Sequence, residues 1–198
     1  RDLRMSRGLG DVYKRQLDDG SISPLEIYSR CNEMGVLPKT SGCSPADFAE
    51  VFDRIHAEQP EAQIVHLAYS AATTCSYQSA LIAAEGRDYV HSIDTKFVSV
   101  GQSWIAQETA KFIEANPDAT VEEVLTFAER ASERVLLGFV PTDLAFLKAG
   151  GRLSNMAFLG AHLLKIKPCI EVTGGTFVAT KKLRGSMLKA CLLYTSDA

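Results

Sequence analysis

Several signatures are missing from this 198-residue chain, and each absence removes a class of function. The cysteines at 31, 43, 75, 169 and 191 form no C-x-x-C pair. That argues against a zinc site and a thioredoxin-like centre, and the scatter suits reduced thiols in the cytoplasm. No G-x-S-x-G, Walker loop or H-E-x-x-H occurs, so the standard hydrolase, NTPase and zincin centres are not expected. The histidines His56, His66, His91 and His162 are dispersed, and His66 and His91 fall in strand-like runs as core or face residues. No apolar run approaches the ~20 residues needed to span a bilayer, and no intact signal peptide is visible. There is no basic run either: Lys+Arg 21 against Asp+Glu 24 gives a net charge of −3, a poor balance for nucleic acid.

One inverted DNA sequence accounts for both ends. Asp11-Val-Tyr-Lys-Arg-Gln16 can be encoded by GATGTGTATAAGAGACAG, whose reverse complement can encode Cys191-Leu-Leu-Tyr-Thr-Ser196. This is the end sequence of a transposon-based sequencing-library adapter. Residues 1–16 and 191–198 are therefore expected to be translated adapter, to be left out of fold reasoning; the alternative is a basic tail and a short terminal apolar run. Arg1, Arg4, Arg7, Lys14 and Arg15, with Asp2, Asp11 and Asp197, lie in those ends, so the body 17–190 carries −5.

What the body does have is hydroxyl groups before helix starts. Val36-Leu-Pro-Lys-Thr-Ser-Gly-Cys-Ser-Pro-Ala-Asp-Phe48 offers Thr40, Ser41 and Ser44. Ala68-Tyr-Ser-Ala-Ala-Thr-Thr-Cys-Ser-Tyr-Gln-Ser-Ala80 offers Ser70, Thr73, Thr74 and Ser76, with no Lys or Arg among them. Such loops bind anions or carboxylates, because hydroxyls and first-turn N–H groups donate and the helix dipole adds partial positive charge. Ser44-Pro45 also reads as an N-cap followed by proline, as Ser23-Pro24 does. The second cluster holds more hydroxyls than a cap uses.

Periodicity predicts helices over 24–33 and 45–57, the second burying Phe48, Val51, Phe52 and Ile55. Strands are expected over 63–69, 89–93 and 136–140. Between them come a helix with Tyr77, Leu81 and Ala84 on one face, and another over 101–115. A third is capped by Thr120 and Glu123, with Val121, Val124, Leu125 and Ala128 inward. Alternating strand, loop and helix is the pattern of a parallel α/β sheet, where ligands collect at the carboxyl ends of strands. The Ser70 cluster and Asp94-Thr95 both fall at such ends, so they are expected to adjoin. Asp94 itself reads as a general base, a metal ligand or a turn former.

Beyond Pro141 the texture changes. Thr142 caps a short helix to Lys148, an apolar helix follows over 154–164, and a hairpin over 167–172 and 176–182 turns at Gly174-Gly175. The expected class is α/β: a parallel-sheet lobe over 17–140 lacking its first strand, then the start of a smaller α+β lobe over 141–190. Gly150-Gly-Arg-Leu-Ser154 either displays Arg152 on a flexible bend or is a helix stop and start with a surface arginine.

Val36-Leu-Pro-Lys-Thr-Ser with Ser44-Pro, Tyr77-Gln-Ser-Ala, Ser92-Ile-Asp-Thr-Lys, Leu147-Lys-Ala-Gly-Gly-Arg-Leu-Ser and Lys165-Ile-Lys-Pro resemble, in order and spacing, the motifs of the DegV family of bacterial fatty-acid-binding proteins. The resemblance covers 17–190. It implies a two-lobed protein enclosing one long-chain fatty acid, with no metal or other cofactor. FakB-like members present the acid to a separate ATP-dependent fatty acid kinase.

The family's carboxylate-binding threonine falls on Thr40. Its second motif, usually Ser-Ser-Gly-Leu-Ser-Gly-Thr-Tyr, falls on Ser70-Ala-Ala-Thr-Thr-Cys-Ser-Tyr77. Ser70 and Thr74 keep hydroxyls there and Ala71 has lost one. Arg152 is expected to serve kinase handover or the headgroup, and Phe146, Leu147, Met156, Phe158, Leu159 and Leu163 to line the tail. The family's opening strand and the later half of its second lobe have no counterpart, which reads as a fragment. A phosphotransferase-like enzyme using the loops as a phosphate cradle is the alternative; it would need a metal-ligand cluster, so a binding protein rather than an enzyme is expected.

Overall fold

A computed structural model describes residues 2–5, 14–17, 23–35, 39–142, 144–151 and 166–196. The first elements are β1 (Asp2–Met5), β2 (Lys14–Leu17), α1 (Pro24–Met34), β3 (Lys39–Ser41) and α2 (Pro45–Glu58). Then come β4 (Ile64–Ala68), α3 (Ser76–Ala84), β5 (Val90–Asp94), α4 (Ser99–Ala115) and α5 (Val121–Glu133). The chain continues through β6 (Gly138–Phe139), α6 (Ala145–Ala149), β7 (Ile166–Thr173), β8 (Thr176–Arg184) and α7 (Met187–Ser196).

Local chemistry sets the helix starts. Ser23 accepts from the Glu26 N–H ahead of Pro24, and α1 stops at Gly35, which takes the left-handed φ of 62°. In α2, Ser44 Oγ accepts from Asp47 N at 3.3 Å while Asp47 Oδ2 accepts from Ser44 N at 2.7 Å. Thr120 and Glu123 close the same reciprocal box on α5. Each such cap contributes about 1 kcal/mol.

β4 and β5 pair in parallel, Ile64 opposite Val90 and Ala68 opposite Asp94. Phe52 of α2, Ala80 and Ala83 of α3 and Val90 form one buried cluster. The buried face of α3 differs from the expected Tyr77, Leu81 and Ala84, which are half-buried; Ser79, Ala80 and Ala83 go inside instead. Small side chains there let α3 approach α2 and the strands closely, so apolar size misidentified the face. Val51 is likewise 42% exposed, because Phe48 and Phe52, four residues apart, already fill the seat above His66.

The second cluster joins α4 and α5 to the hairpin: Phe97, Val98, Ile105, Ala131 and Val172 are buried, with Phe127, Leu137 and Phe177 against them. The strand expected over 136–140 forms only at β6, and it pairs antiparallel with β7, Phe139 opposite Ile170. The sheet of the hairpin thus begins before Pro141. The hairpin itself forms as expected, with Thr173 opposite Thr176 across Gly174-Gly175. β1 pairs antiparallel with both β2 and β3. Arg152 and the helix expected over 154–164, with Met156, Phe158, Leu159 and Leu163, lie outside the described residues. Among those described, no helix is long and apolar enough to cross a membrane.

Candidate ligand site

The carboxyl ends of β4 and β5 release the chain into two turns that hold each other. Thr95 donates to the Ala68 carbonyl through both its N–H (3.2 Å) and its Oγ1 (2.7 Å). Asp94 Oδ1 accepts from Ala71 N at 3.2 Å and from Lys96 N at 2.8 Å. Of the roles open to Asp94, the geometry shows the turn former. It also closes the tight bend that puts Lys96 at a φ of 59°. The adjacency expected of these two strand ends is present.

Ser70 sits inside this junction, 0% exposed. Its N–H donates to Phe97 O at 3.0 Å, its carbonyl accepts from Thr73 N at 3.1 Å, and its hydroxyl donates to Gly175 O at 2.7 Å. Thr73 Oγ1 donates to the same Ser70 carbonyl at 3.0 Å. A hydroxyl has one proton to give. The Ser70 proton is already committed to the hairpin, and the Ala71 N–H to Asp94.

Thr74 and Ser76 are placed differently. Their hydroxyls lie 3.0 Å apart, and Thr74 Oγ1 also accepts from Ser76 N at 3.3 Å. One hydrogen bond between two hydroxyls uses one of two protons, so the pair has one left to donate outward.

The first loop reaches this pair through Gly42. A Cβ on Gly42 would stand 2.7 Å from Ser76 Oγ, 3.0 Å from Cys75 Sγ and 3.1 Å from Thr74 Oγ1. Glycine is needed there for close approach, not for a left-handed backbone. Thr40 lies two residues before Gly42 in β3, with its backbone opposite Leu3 of β1. The structure therefore brings Gly42, two residues after Thr40, against Thr74, while Ser70 bonds the hairpin and Ala71 bonds Asp94.

Burial shifts two neighbouring side chains toward their neutral forms. Tyr77 is half-buried, and burial first, then the Asp94 charge, pushes its phenol above the usual range. His66 Nδ1 lies 3.1 Å from Ser92 Oγ, and burial holds its pKa below that of a free imidazole. Of the expected tail-lining residues, Leu147 packs on buried Ile170, and Phe146 meets Tyr28 edge-on with ring centres 5.5 Å apart. Among the described residues no three His, Cys, Asp or Glu side chains are grouped as metal ligands.

Sequence reasoning missed the close approaches at Gly42 and Gly175. Each glycine admits a partner more than thirty residues away, and a single sequence carries no signal for that pairing.

Comparison with known proteins gives one family. Residues 10–191 match the family model described as "Uncharacterised protein, DegV family". A "Fatty acid-binding protein" of Thermotoga maritima is 30% identical over 164 residues, covering 81% of this chain and 56% of its own length. The chain thus spans little more than half of that relative. A Thermus thermophilus structure described as fatty acid binding of a DegV family protein matches with TM-score 0.76 and 29% identity, over 98% of this chain and 69% of that one. A DegV-family structure from Ruminococcus gnavus with vaccenic acid matches with TM-score 0.79 and 27% identity, over 100% and 68%.

Proposed function

This chain belongs to the DegV family, and we propose that it binds one long-chain fatty acid whose carboxylate seats between its two hydroxyl-bearing loops. The observation that carries this reading is the packing of Gly42 against Ser76 and Thr74, so close that a Cβ added there would stand 2.7 and 3.1 Å from their hydroxyl oxygens. It joins the segment bearing Thr40 to a hydroxyl pair with a proton to spare. Relatives named for fatty acid binding supply the ligand class.

The energetics suit neutral donors. Burying about fifteen methylenes at ~0.8 kcal/mol each gives roughly 12 kcal/mol of gross driving force before association costs. The tail supplies the affinity, and the loops need only orient the carboxylate and leave it hydrogen-bonded. Thr40 and Thr74 are the side-chain donors in this reading. Ala71 offers no hydroxyl, and Ser70 can join only by releasing Gly175. Presentation of the acid to a separate fatty acid kinase, for conversion to the acyl phosphate, is the further step; it rests on the motif resemblance, with Arg152 as the contact made at handover.

The test is native mass spectrometry of the purified chain incubated with vaccenic acid, alongside a titration. One bound acid per chain is expected, and Thr40→Ala should weaken binding about tenfold or more, the worth of a hydrogen bond to a charged group. Wild-type affinity in Thr40→Ala would move the headgroup elsewhere.

A further inference from the structure

Ser70 is bonded through its N–H, its carbonyl and its hydroxyl, and each bond goes to a different piece of chain. The N–H reaches Phe97 after β5, the carbonyl holds Thr73 in its own turn, and Oγ reaches Gly175 at the hairpin tip, 105 residues away. From the hairpin side the fit is equally close. A Cβ on Gly175 would stand 2.7 Å from Ser70 Oγ and 3.4 Å from the Ala72 Cβ, and the residue has a φ of +82°. Only glycine meets both the space and the backbone there. The hairpin tip therefore sits directly on the turn that follows β4.

From this we infer that Ser70 is a positioning residue, not a carboxylate ligand: its hydroxyl pins the tip of the β7–β8 hairpin onto the headgroup turn, and its proton stays on Gly175 when the acid is bound. The inference rests on the fatty-acid reading for the ligand, but not for the latch. A buried hydroxyl that surrendered Gly175 would leave that carbonyl unsatisfied in a closed interface, a cost that the Thr74–Ser76 pair avoids because it already has a proton to give. Ser70 thus belongs to the joint between the parallel strands and the hairpin. Thr40, Thr74 and Ser76 belong to the ligand.

The experiment uses the full chain and reads two quantities side by side, vaccenic acid affinity by titration and amide hydrogen exchange resolved by segment. Ser70→Ala should keep affinity within about threefold of wild type while exchange over 173–177 speeds about tenfold and exchange within β4 and β5 stays unchanged. Gly175→Ala, which attacks the same contact from the other side, should give the same local pattern. That locality separates a latch from a general loss of stability. A tenfold or greater loss of affinity in Ser70→Ala, or unchanged exchange at the hairpin tip in both variants, overturns the assignment. If the wild type binds no fatty acid, the functional reading fails while the exchange arms still decide the latch.

Discussion

The two ends of the β4–β5 pair solve opposite problems with opposite chemistry. At the carboxyl end the buried polar groups are neutral: Ser70 and Thr95 are 0% exposed and each donates to a backbone carbonyl, while Asp94 is half-buried and Lys96 exposed beside them. At the amino end the polar groups are charged and face water. Arg87 holds Asp53 with two bonds of 2.7 Å, and Tyr89 OH donates to Asp53 at 3.1 Å. His56 stacks flat on Tyr89 at 3.9 Å, its Nδ1 buried without a hydrogen-bond partner. Burying a charge costs several kcal/mol unless it is paired, whereas a hydroxyl needs one acceptor. A closed, dry junction can therefore be built from Ser and Thr but not from Arg and Asp. In the proposed function, a ligand carboxylate at the carboxyl end would meet the Thr74–Ser76 hydroxyl pair.

The largest expected effect is at Gly42. Gly42→Val drives a branched side chain into Thr74, Cys75 and Ser76, where even a single Cβ would stand 2.7–3.1 Å from their side-chain atoms. The first loop must then retreat from the hydroxyl pair. Fatty acid affinity should fall about 100-fold, with a much smaller loss of thermal stability, because the loop edge rather than the buried core is displaced. Titration beside a melting curve checks this. Unchanged affinity would mean that the contact between loops does not form the headgroup site, and the contrast between strand ends would lose its functional meaning.

Local chemistry was legible in the sequence; long-range approach was not. Ser23-Pro24, Ser44 with Asp47, and Thr120 with Glu123 announce helix starts because cap and partner lie within one turn. The Gly174-Gly175 turn was readable for the same reason. Two elements differed because neighbours far along the chain decided them: α3 turned its alanines toward α2, and β6 found β7 some thirty residues later. At the site, the sequence marked Thr40, Ser70 and Thr74 alike as hydroxyls before helices. Only the fold separates Ser70, closed on Gly175, from Thr74, which faces Gly42.

A smaller effect is expected at the amino end. Arg87→Gln breaks the paired bonds to Asp53, yet the Asp53 side chain is 54% exposed, so the pair is well screened. Fatty acid affinity should not change, and the melting temperature should drop slightly, less so at high salt. The pH dependence has a definite sign. The Arg87 hydrogen bonds hold the Asp53 carboxyl below its ordinary 3.8, so its stabilisation is present above that value and lost as pH falls through the lower folded one. The gap between wild type and variant should therefore close in acid. A loss of binding in Arg87→Gln would show that the two ends are coupled.

The smallest effect expected is none. Deleting 1–16 and 191–198 together should leave the melting temperature within about 2 °C and fatty acid affinity unchanged, if these ends are translated adapter. At the C-terminal end Cys191 is exposed and Leu192 is 61% exposed. The N-terminal end is the sharper test, because β1 lies against β3 with Leu3 opposite Thr40 and Arg4 opposite Lys39. Strands of three and four residues are too short to make a stable sheet by themselves, so β3 should owe its position to the Gly42 contact beyond it rather than to β1. A fall of more than about 5 °C would show that these ends pack as part of the fold. Weaker binding without such a fall would show that β1 holds Thr40 in place and that the carboxyl-end site extends to residues 2–5.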